Sequence, residues 1–467
     1  MPDSSPSLLD IEKSDEYLKK IFMAGVHRVD PYRLIKDQVY LDQSSMVYQN
    51  EKHLKSLDLK KFEDIIVFGA GKATAKMAKA IEEIFGDKIQ QGLISVKYGH
   101  VETLEFIRTI EAGHPVPDDN GLKAANEIVK MVQLVNEKTL VIGLISGGGS
   151  ALIPLPFNQT IQDHSILLTL KDKQETTKAL LSCGATINEI NCFRKHLSMI
   201  KGGRLAQIIH PAQSINFILS DVVGDRLDCI ASGPTSLDDS TFFQMAEIEK
   251  KYQLESQLPD GVKEIIKLGI KGVLPETPNS QSPFLSKTEN ILIGTNRIAL
   301  EAAAETAELL GFDTEILSSQ IIGEAREVAK VLCGIAKDTK KYRMSGNQPK
   351  CLITGGETTV TIKGDGKGGR SQEMALSFLA ELSQDPESTR GIFFLAASTD
   401  GNDGPTDAAG AFASAEVLKK SKSMDLSIID YLNRNDAYRF FDQTHTLLKT
   451  GPTNTNVCDI QLILIYP

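Results

Sequence analysis

The chain has 467 residues, a formal net charge of −10, 41% apolar and 24% charged residues, and no tryptophan. That length exceeds what one hydrophobic core organises and predicts two domains, while the composition excludes disordered and fibrous classes. The acidic balance, without any Lys/Arg cluster, argues against a nucleic-acid or anionic-membrane partner and leaves small anions as ligands.

Six scattered cysteines with no C-x-x-C pair predict neither a zinc site nor a disulfide framework. The opening residues Met1-Pro2-Asp3-Ser4-Ser5-Pro6-Ser7 lack the features of a secretory signal or a presequence, and no stretch reaches the roughly 18 apolar residues of a membrane span. A cytoplasmic protein, monomeric or homodimeric, is expected.

In chain order, residues 8–29 carry apolar positions at helical spacing and stop at Asp30-Pro31, an outer helix. Residues 65–68 read as a buried strand, followed by Gly69-Ala70-Gly71-Lys72 and a helix with Met77, Ala78, Ile81, Ile84 and Phe85 on its apolar face. The pattern repeats at residues 139–145, which run into Ser146-Gly147-Gly148-Gly149-Ser150. Further strands are expected at 92–96, 214–220, 291–294, 351–354 and 391–397, with helices at 120–134, 297–310 and 324–337. Alternating strands and helices predict parallel sheets with covered faces. Residues 253–288, with four prolines and a polar Asn279-Ser280-Gln281-Ser282 run, read as a linker or surface excursion, which divides the chain into 1–285 and 286–467.

Several strand ends carry chemistry. Lys72 sits at a strand-to-helix turn, where backbone N–H groups and the helix dipole favour an anion; a P-loop is excluded because Ile66 and Ala73 stand where it needs Gly and Ser/Thr. Gly147, Gly148 and Gly149 follow an unbroken apolar strand, where open α/β sheets bind ligands, and Ala151-Leu152 denies them the last Gly of a nucleophile elbow. Gly364, Gly366 and Gly369 match G-x-G-x-x-G, yet Gly355-Gly356-Glu357 separates residues 351–354 from 358–362 so closely that a hairpin is expected in place of a buried parallel strand. Arg370 then suits a phosphoryl or carboxylate group. Asp400, Asp403 and Asp407 follow another strand, an oxygen-rich loop suited to Mg²⁺ but not an EF-hand. Ser220-Asp221-Val222-Val223-Gly224-Asp225 repeats that theme, with Ser232-Gly233-Pro234-Thr235 shortly after. Arg194-Lys195-His196 gives a helix a basic patch of the kind that usually faces solvent. His114 has no Ser or Cys neighbour in sequence to form a triad. Together these parts suit phosphoryl transfer by positioning and charge neutralisation.

The combination resembles the class II glycerate kinases, built of an N-terminal kinase-associated domain and a C-terminal MOFRL domain. The resemblance rests on Gly69-Ala70-Gly71-Lys72-Ala73, Ala112-Gly113-His114-Pro115-Val116-Pro117-Asp118, Ser146-Gly147-Gly148-Gly149-Ser150-Ala151-Leu152 and Arg194-Lys195-His196-Leu197-Ser198. It continues through Ser220-Asp221-Val222-Val223-Gly224-Asp225, Gly369-Arg370-Ser371-Gln372-Glu373, Thr399-Asp400-Gly401 and Gly451-Pro452-Thr453, nearly the whole chain in order. It implies a Rossmann-like α/β/α sandwich followed by a smaller α/β MOFRL domain, an active site in the cleft between them, and ATP- and Mg²⁺-dependent phosphorylation of D-glycerate to 2-phospho-D-glycerate. It also implies that Lys72 and Arg370 are catalytic. Two departures stand out, Ser371 where Asn is usual and Asn454 where Gly is usual; Asn tolerates a left-handed backbone, so the second keeps the turn.

On this reading Asp221 accepts or orients the glycerate hydroxyl, and Gly147, Gly148, Gly149, Ser150 and Asn296 hold nucleotide. Arg194 or Lys195 receives the carboxylate beside His114, and Mg²⁺ is expected on Asp225, Asp400 or Asp403. The competing readings are a 3-phosphoglycerate-forming kinase, an NAD(P)-dependent hydroxy-acid oxidoreductase using residues 364–369, and a non-catalytic ligand-binding protein.

Overall fold

The computed structural model describes residues 10–50, 53–161, 163–344, 346–387 and 389–467. Residues 1–9, on which the reading of the N-terminal segment and the first two positions of the first helix rest, lie outside them. The chain divides into two units, one spanning Pro31–Ile293, the other joining the segment that ends at Asp30 to Gly294–Pro467.

The expected division at 285 therefore shifts, and the first helix changes sides. Helix Ser14–Arg28 buries Leu18, Ile21, Phe22, Gly25 and Val26 and belongs with helix Asn296–Leu309. A Cβ on Gly25 would lie 2.8 Å from the Ala299 carbonyl oxygen. The two helices meet backbone to backbone there, a contact that sequence periodicity on one helix does not reveal.

The sheet of the Pro31–Ile293 unit has six strands: β1 Asp64–Ala70, β2 Ile89–Lys97, β3 Ile107–Ala112, β4 Thr139–Ile145, β5 Gln213–Leu219 and β6 Thr288–Gly294, whose last residue opens the other unit. They run in the order β6-β5-β4-β1-β2-β3. The β5/β4, β4/β1, β1/β2 and β2/β3 pairs are parallel. Every residue of β4 is buried, as a central strand covered on both faces requires. Connections leave β1 towards β2 and β4 towards β5, so the strand order reverses between β1 and β4. Open α/β sheets bind ligands at the carboxyl end of such a switch point.

A second core in this unit is helical, with Leu180, Phe193, Phe242, Leu258, Val262 and Ile265 at its centre. Helix Asp260–Ile270 buries Val262, Ile265, Ile266 and Leu268, which corrects the expectation of a linker across 253–288. Prolines at 259 and 275 bracket that helix without interrupting it, in keeping with proline's tolerance at helix ends.

The second unit's sheet is mixed: β7 Asp313–Glu324, β8 Lys350–Thr359, β9 Ile392–Ser398, β10 Gly410–Ala413, β11 Leu447–Leu448 and β12 Asp459–Ile465, ordered β7-β8-β12-β9-β10-β11. β8 pairs parallel with β7 and antiparallel with β12. The hairpin expected after Thr354 does not form, because β8 continues through Gly355 and Gly356, which face Ile460 and Asp459 across the ladder. A Cβ on Gly355 would come within 2.0 Å of Asn296 Oδ1, and one on Gly356 within 2.1 Å of the Ile321 carbonyl oxygen. These glycines admit close neighbours rather than turn the chain.

Candidate functional site

At the switch point, β1 delivers Gly71 and Lys72 beside the loop that follows β4. Lys72 N–H donates to the Gly147 carbonyl at 2.9 Å, and Ser146 N–H donates to the Ala70 carbonyl at 3.0 Å. The Ser146 hydroxyl accepts from Ala73 N–H at 3.1 Å and lies 3.2 Å from the Thr74 hydroxyl. Two loops from adjacent strands are thus tied into one. A Cβ on Gly71 would fall 2.0 Å from the Ser146 hydroxyl oxygen, so glycine is required at that position.

Gly148 adopts φ +83°, and among the described residues the N–H groups of Gly147 and Gly148 donate to no protein acceptor. Successive free N–H groups in this conformation form a concavity for an anion. Around it stand the groups expected from sequence. A Cβ on Gly148 would meet His114 Cδ2 at 2.9 Å and Lys72 Cγ at 3.3 Å, and one on Gly147 would meet Asp221 Oδ2 at 2.0 Å. Burial pushes the Asp221 carboxyl up, against the pull of Lys72. Burial, then the charges of Lys72, Lys97 and His100, lower the His114 imidazole to about 4, so it is neutral at pH 7. Asp225, with φ +55°, is raised by burial and steadied by the Ser220 hydroxyl.

The short helix Gly149–Leu152 that follows carries Ser150, whose hydroxyl lies 2.9 Å from that of Ser232. Lys201 Nζ donates to both the Ser150 hydroxyl and its carbonyl at 2.6 Å. Ala231 and Ser232 hold left-handed backbones at φ +51° and +60°, a strain non-glycine residues adopt only where the surroundings impose it.

The basic triplet is interior rather than solvated. Lys195 is 3% exposed and donates to Asp228 and Asp238, each at 2.9 Å. Burial lowers its ammonium, but Asp238 and Asp228 outweigh it and raise the pKa. Its expected role as carboxylate receptor is therefore corrected: both of its charge partners belong to the protein. His196 is fully buried and joined to Glu276 at 3.0 Å. Arg194 carries no ion pair among the described residues.

In the other unit, Arg370 opens helix Arg370–Ser383. Its Nε and Nη2 donate to the two oxygens of Asp459 at 2.6 and 2.9 Å, and Nη1 donates to Glu357 at 2.7 Å. Burial works against the guanidinium's charge and the two carboxylates more than restore it. Three of its five N–H donors are thereby engaged. The glycine-dense loop before it has much of its backbone already engaged. Lys363 and Gly364 N–H groups donate to Asn435 Oδ1, Lys367 N–H to Asp436, and Gly366 N–H to the Arg434 carbonyl. The dinucleotide reading of residues 364–369 loses the Gly364 and Gly366 backbone donors.

Asp403 was expected on a metal. Instead, buried, it accepts from Ser371 and Gln372 N–H at 3.1 and 2.8 Å and caps the helix. Asp400 accepts from Asn402 N–H and the Ser398 hydroxyl. Among the described residues no three His, Cys, Asp or Glu side chains gather as a metal site; an ion that takes one or two carboxylates and completes its shell from phosphate and water would fit the carboxylates present. Asn296, expected on nucleotide, gives its amide to the Val457 and Asp459 carbonyls instead. Asn454 has φ +60°, the left-handed turn expected of a residue in place of glycine.

Lys173, Lys201 and Asp459 escaped the sequence reading. Lys201 precedes Gly202 and Gly203, both left-handed, and that glycine pair was the available signal; Lys173 and Asp459 carry none.

A doubly wound sheet with a glycine loop, a lysine and a carboxylate at its switch point defines a class, the α/β enzymes whose ligands bind at that end of the sheet. Two family descriptions match the chain, Domain of unknown function (DUF4147) over residues 17–267 and the MOFRL family over 350–459. The D-glycerate 2-kinase of Thermotoga maritima is 39% identical, covering 93% of this chain and 99% of that protein. The glycerate 2-kinase of Pyrococcus horikoshii is 37% identical over 94% and 95%. A protein of Agrobacterium vitis bearing a hydroxypyruvate reductase name is 40% identical over 86% and 99%. A crystal structure of glycerate kinase from Thermotoga maritima aligns with a TM-score of 0.81 at 37% identity, covering 97% of this chain and all of that one. The chain belongs to the class II glycerate kinase family and is an enzyme of that kinase group. Among its described residues no helix is long and apolar enough to cross a membrane.

Proposed function

We propose that this enzyme transfers the γ-phosphoryl group of ATP to the C2 hydroxyl of D-glycerate, yielding 2-phospho-D-glycerate and ADP. The observation that carries the reading is the pair of unbonded N–H groups at Gly147 and Gly148, with Lys72 and Asp221 against the same two glycines. Those N–H groups receive phosphoryl oxygens, and Lys72 offsets the charge that gathers on them as the bond to the leaving oxygen breaks. Asp221, its carboxyl raised by burial, takes the hydroxyl proton as the new bond to phosphorus forms; a base nearer neutrality is better matched to that transfer. His114, neutral at pH 7, adds a hydrogen-bonding ring without a second positive charge. Mg²⁺ would be held by Asp225, with Asp400 as the alternative in the other unit, and supplies charge neutralisation on the nucleotide phosphates. Arg370, the second residue that the family resemblance marks as catalytic, is oriented within its own unit by Asp459 and Glu357 and keeps two N–H donors for a ligand.

The test is ADP release from ATP against a panel of hydroxy acids, with phosphorus NMR of the product. Signal from a C2 phosphate supports the proposal; a C3 phosphate gives the 3-phosphoglycerate-forming alternative. Growth of reduced-nicotinamide absorbance with NAD(P)⁺ and D-glycerate, without ADP release, replaces it by the oxidoreductase reading. Arg370→Ala is expected to reduce kcat with D-glycerate by about 10²-fold, and an unchanged kcat removes Arg370 from the transfer step.

A further inference from the structure

Beside Ser150 the structure gathers positive charge that no carboxylate balances. Lys173, on helix Leu170–Ser182, is 8% exposed, and among the described residues its ammonium has no hydrogen-bond partner. Arg194, on helix Ile187–His196, reaches only Asn191 Oδ1, at 3.4 Å. Lys201, 2% exposed, bonds among the described residues only to the neutral oxygens of Ser150. Among the described residues none of the three forms an ion pair. The charges that act on Lys173 are those of Arg194 and Arg204, and those that act on Lys201 are Lys173 and Arg194.

The contrast with neighbouring cations makes the imbalance specific. Lys195, one position from Arg194, is matched by Asp228 and Asp238. Arg204 Nη1 donates to the carbonyls of Lys195, His196 and Ser198 at the end of helix Ile187–His196, and although its Nη2 is buried without a partner among the described residues, the charges that act on it are the carboxylates of Asp238 and Glu276. Buried charges in folded proteins are paired or bind a ligand that pairs them. The helical lobe thus supplies carboxylates for one lysine and withholds them from the other two.

We propose that Lys173 and Arg194, with Lys201 holding the adjoining loop, receive the carboxylate of the hydroxy-acid substrate, a role that rests on the kinase reading given above for that loop. Arg194 offers a planar pair of donors that fits a carboxylate, and Lys173 adds an ammonium with no competing partner. Lys201 acts as a positioning residue: it holds Ser150, which stands one residue from Gly149, so the site for the acid and the loop for the phosphoryl group share one tether. Burial followed by the neighbouring cations draws the Lys173 ammonium down to about 7 and that of Lys201 well below the ordinary lysine range, the response of cations held together without an anion.

The discriminating variant is Lys173→Met, which keeps the length of the side chain and removes the unpaired charge. Its KM for D-glycerate is expected to rise by roughly 10- to 100-fold, the loss of one charge-assisted contact, with KM for ATP unchanged and a melting temperature equal to or above that of wild type. Arg194→Lys, which retains charge but not the fork, is expected to raise KM for D-glycerate less than Arg194→Met. Folded Lys173→Met with an unchanged KM for D-glycerate overturns the proposal.

If wild type releases no ADP with D-glycerate, the kinase reading fails while the subsite is still testable by melting wild type and Lys173→Met with D-glycerate, glycolate or inorganic phosphate. Stabilisation of wild type alone by the two carboxylates sustains the carboxylate site. Stabilisation of wild type alone by inorganic phosphate, with no response to the carboxylates, assigns the cluster to phosphate and overturns it, as does an equal response of both proteins to all three.

Discussion

Two glycine-rich loops, one in each unit, look alike as sequence and differ as chemistry. Among the described residues, the Gly147 and Gly148 N–H groups have no protein acceptors, whereas those of residues 363, 364, 366 and 367 go to Asn435, Asp436 and the Arg434 carbonyl. The glycines of the second loop are there because backbone presses on them: a Cβ on Gly364 or Gly366 would lie 2.4 Å from the Arg434 carbonyl oxygen. Even the helix N-terminus that follows is capped, by Asp403. Glycine density thus reports close approach, and only the fate of the N–H groups separates an anion site from tight packing.

The sharpest way to break that comparison is at Lys72. Lys72→Met is expected to lower kcat by about 10³-fold, the scale for removing one preorganised donor from a transferring oxyanion, with melting unchanged. Retained turnover would mean that the 146–150 loop does not host the reacting phosphoryl group.

Glycine substitutions then set the two loops against each other. Gly148→Ala places a side chain at φ +83° against His114 and is expected to cut kcat/KM about 10²-fold for a stability loss of about 1–2 kcal/mol. Gly366→Ala meets fixed backbone instead and is expected to lower stability by about 3 kcal/mol with KM for ATP intact. Steady-state kinetics and urea unfolding of both variants read the two effects. The same pattern in both proteins would dissolve the distinction.

Much of the first unit was legible because buried parallel strands write themselves as unbroken apolar runs: β4 is found at the residues expected, and β1, β2 and β5 lie within a few residues of theirs. Lys72, Gly147, Gly148 and Asp221 were legible as strand-end residues and His114 through the family resemblance, and the fold brings them to one place. What stayed hidden depends on partners far along the chain. Arg370 is oriented by Asp459, 89 positions away, and Lys195 is neutralised by Asp228 and Asp238. No local pattern marks Lys173, since an unpaired buried lysine and a solvated one read identically. The hairpin expected at Gly355-Gly356 failed because glycine signals a turn and a tight ladder equally well.

The smallest effect concerns the carboxylate built into the second loop's helix. Burial, then the charge of Asp459, pushes the Asp403 carboxyl from its ordinary 3.8 up to about 7, although the Gln372 and Ser371 N–H groups and Arg370 pull it down. Because the folded pKa lies above the unfolded one, the native state binds the proton more tightly. The resulting stabilisation is complete below about pH 4 and is lost as pH climbs through about 7. A shift of that size corresponds to stability falling by a few kcal/mol, of order 1.4 kcal/mol per pKa unit, between acid and neutral pH. Asp403→Asn cannot titrate, so urea unfolding at pH 5, 6.5 and 8 should give a shallower fall than wild type. At pH 5 the variant should be less stable, since one amide oxygen replaces two acceptors at the helix start. An identical pH slope in variant and wild type would show that Asp403 stays ionised throughout, and that the second loop, like the first, is organised around a full negative charge.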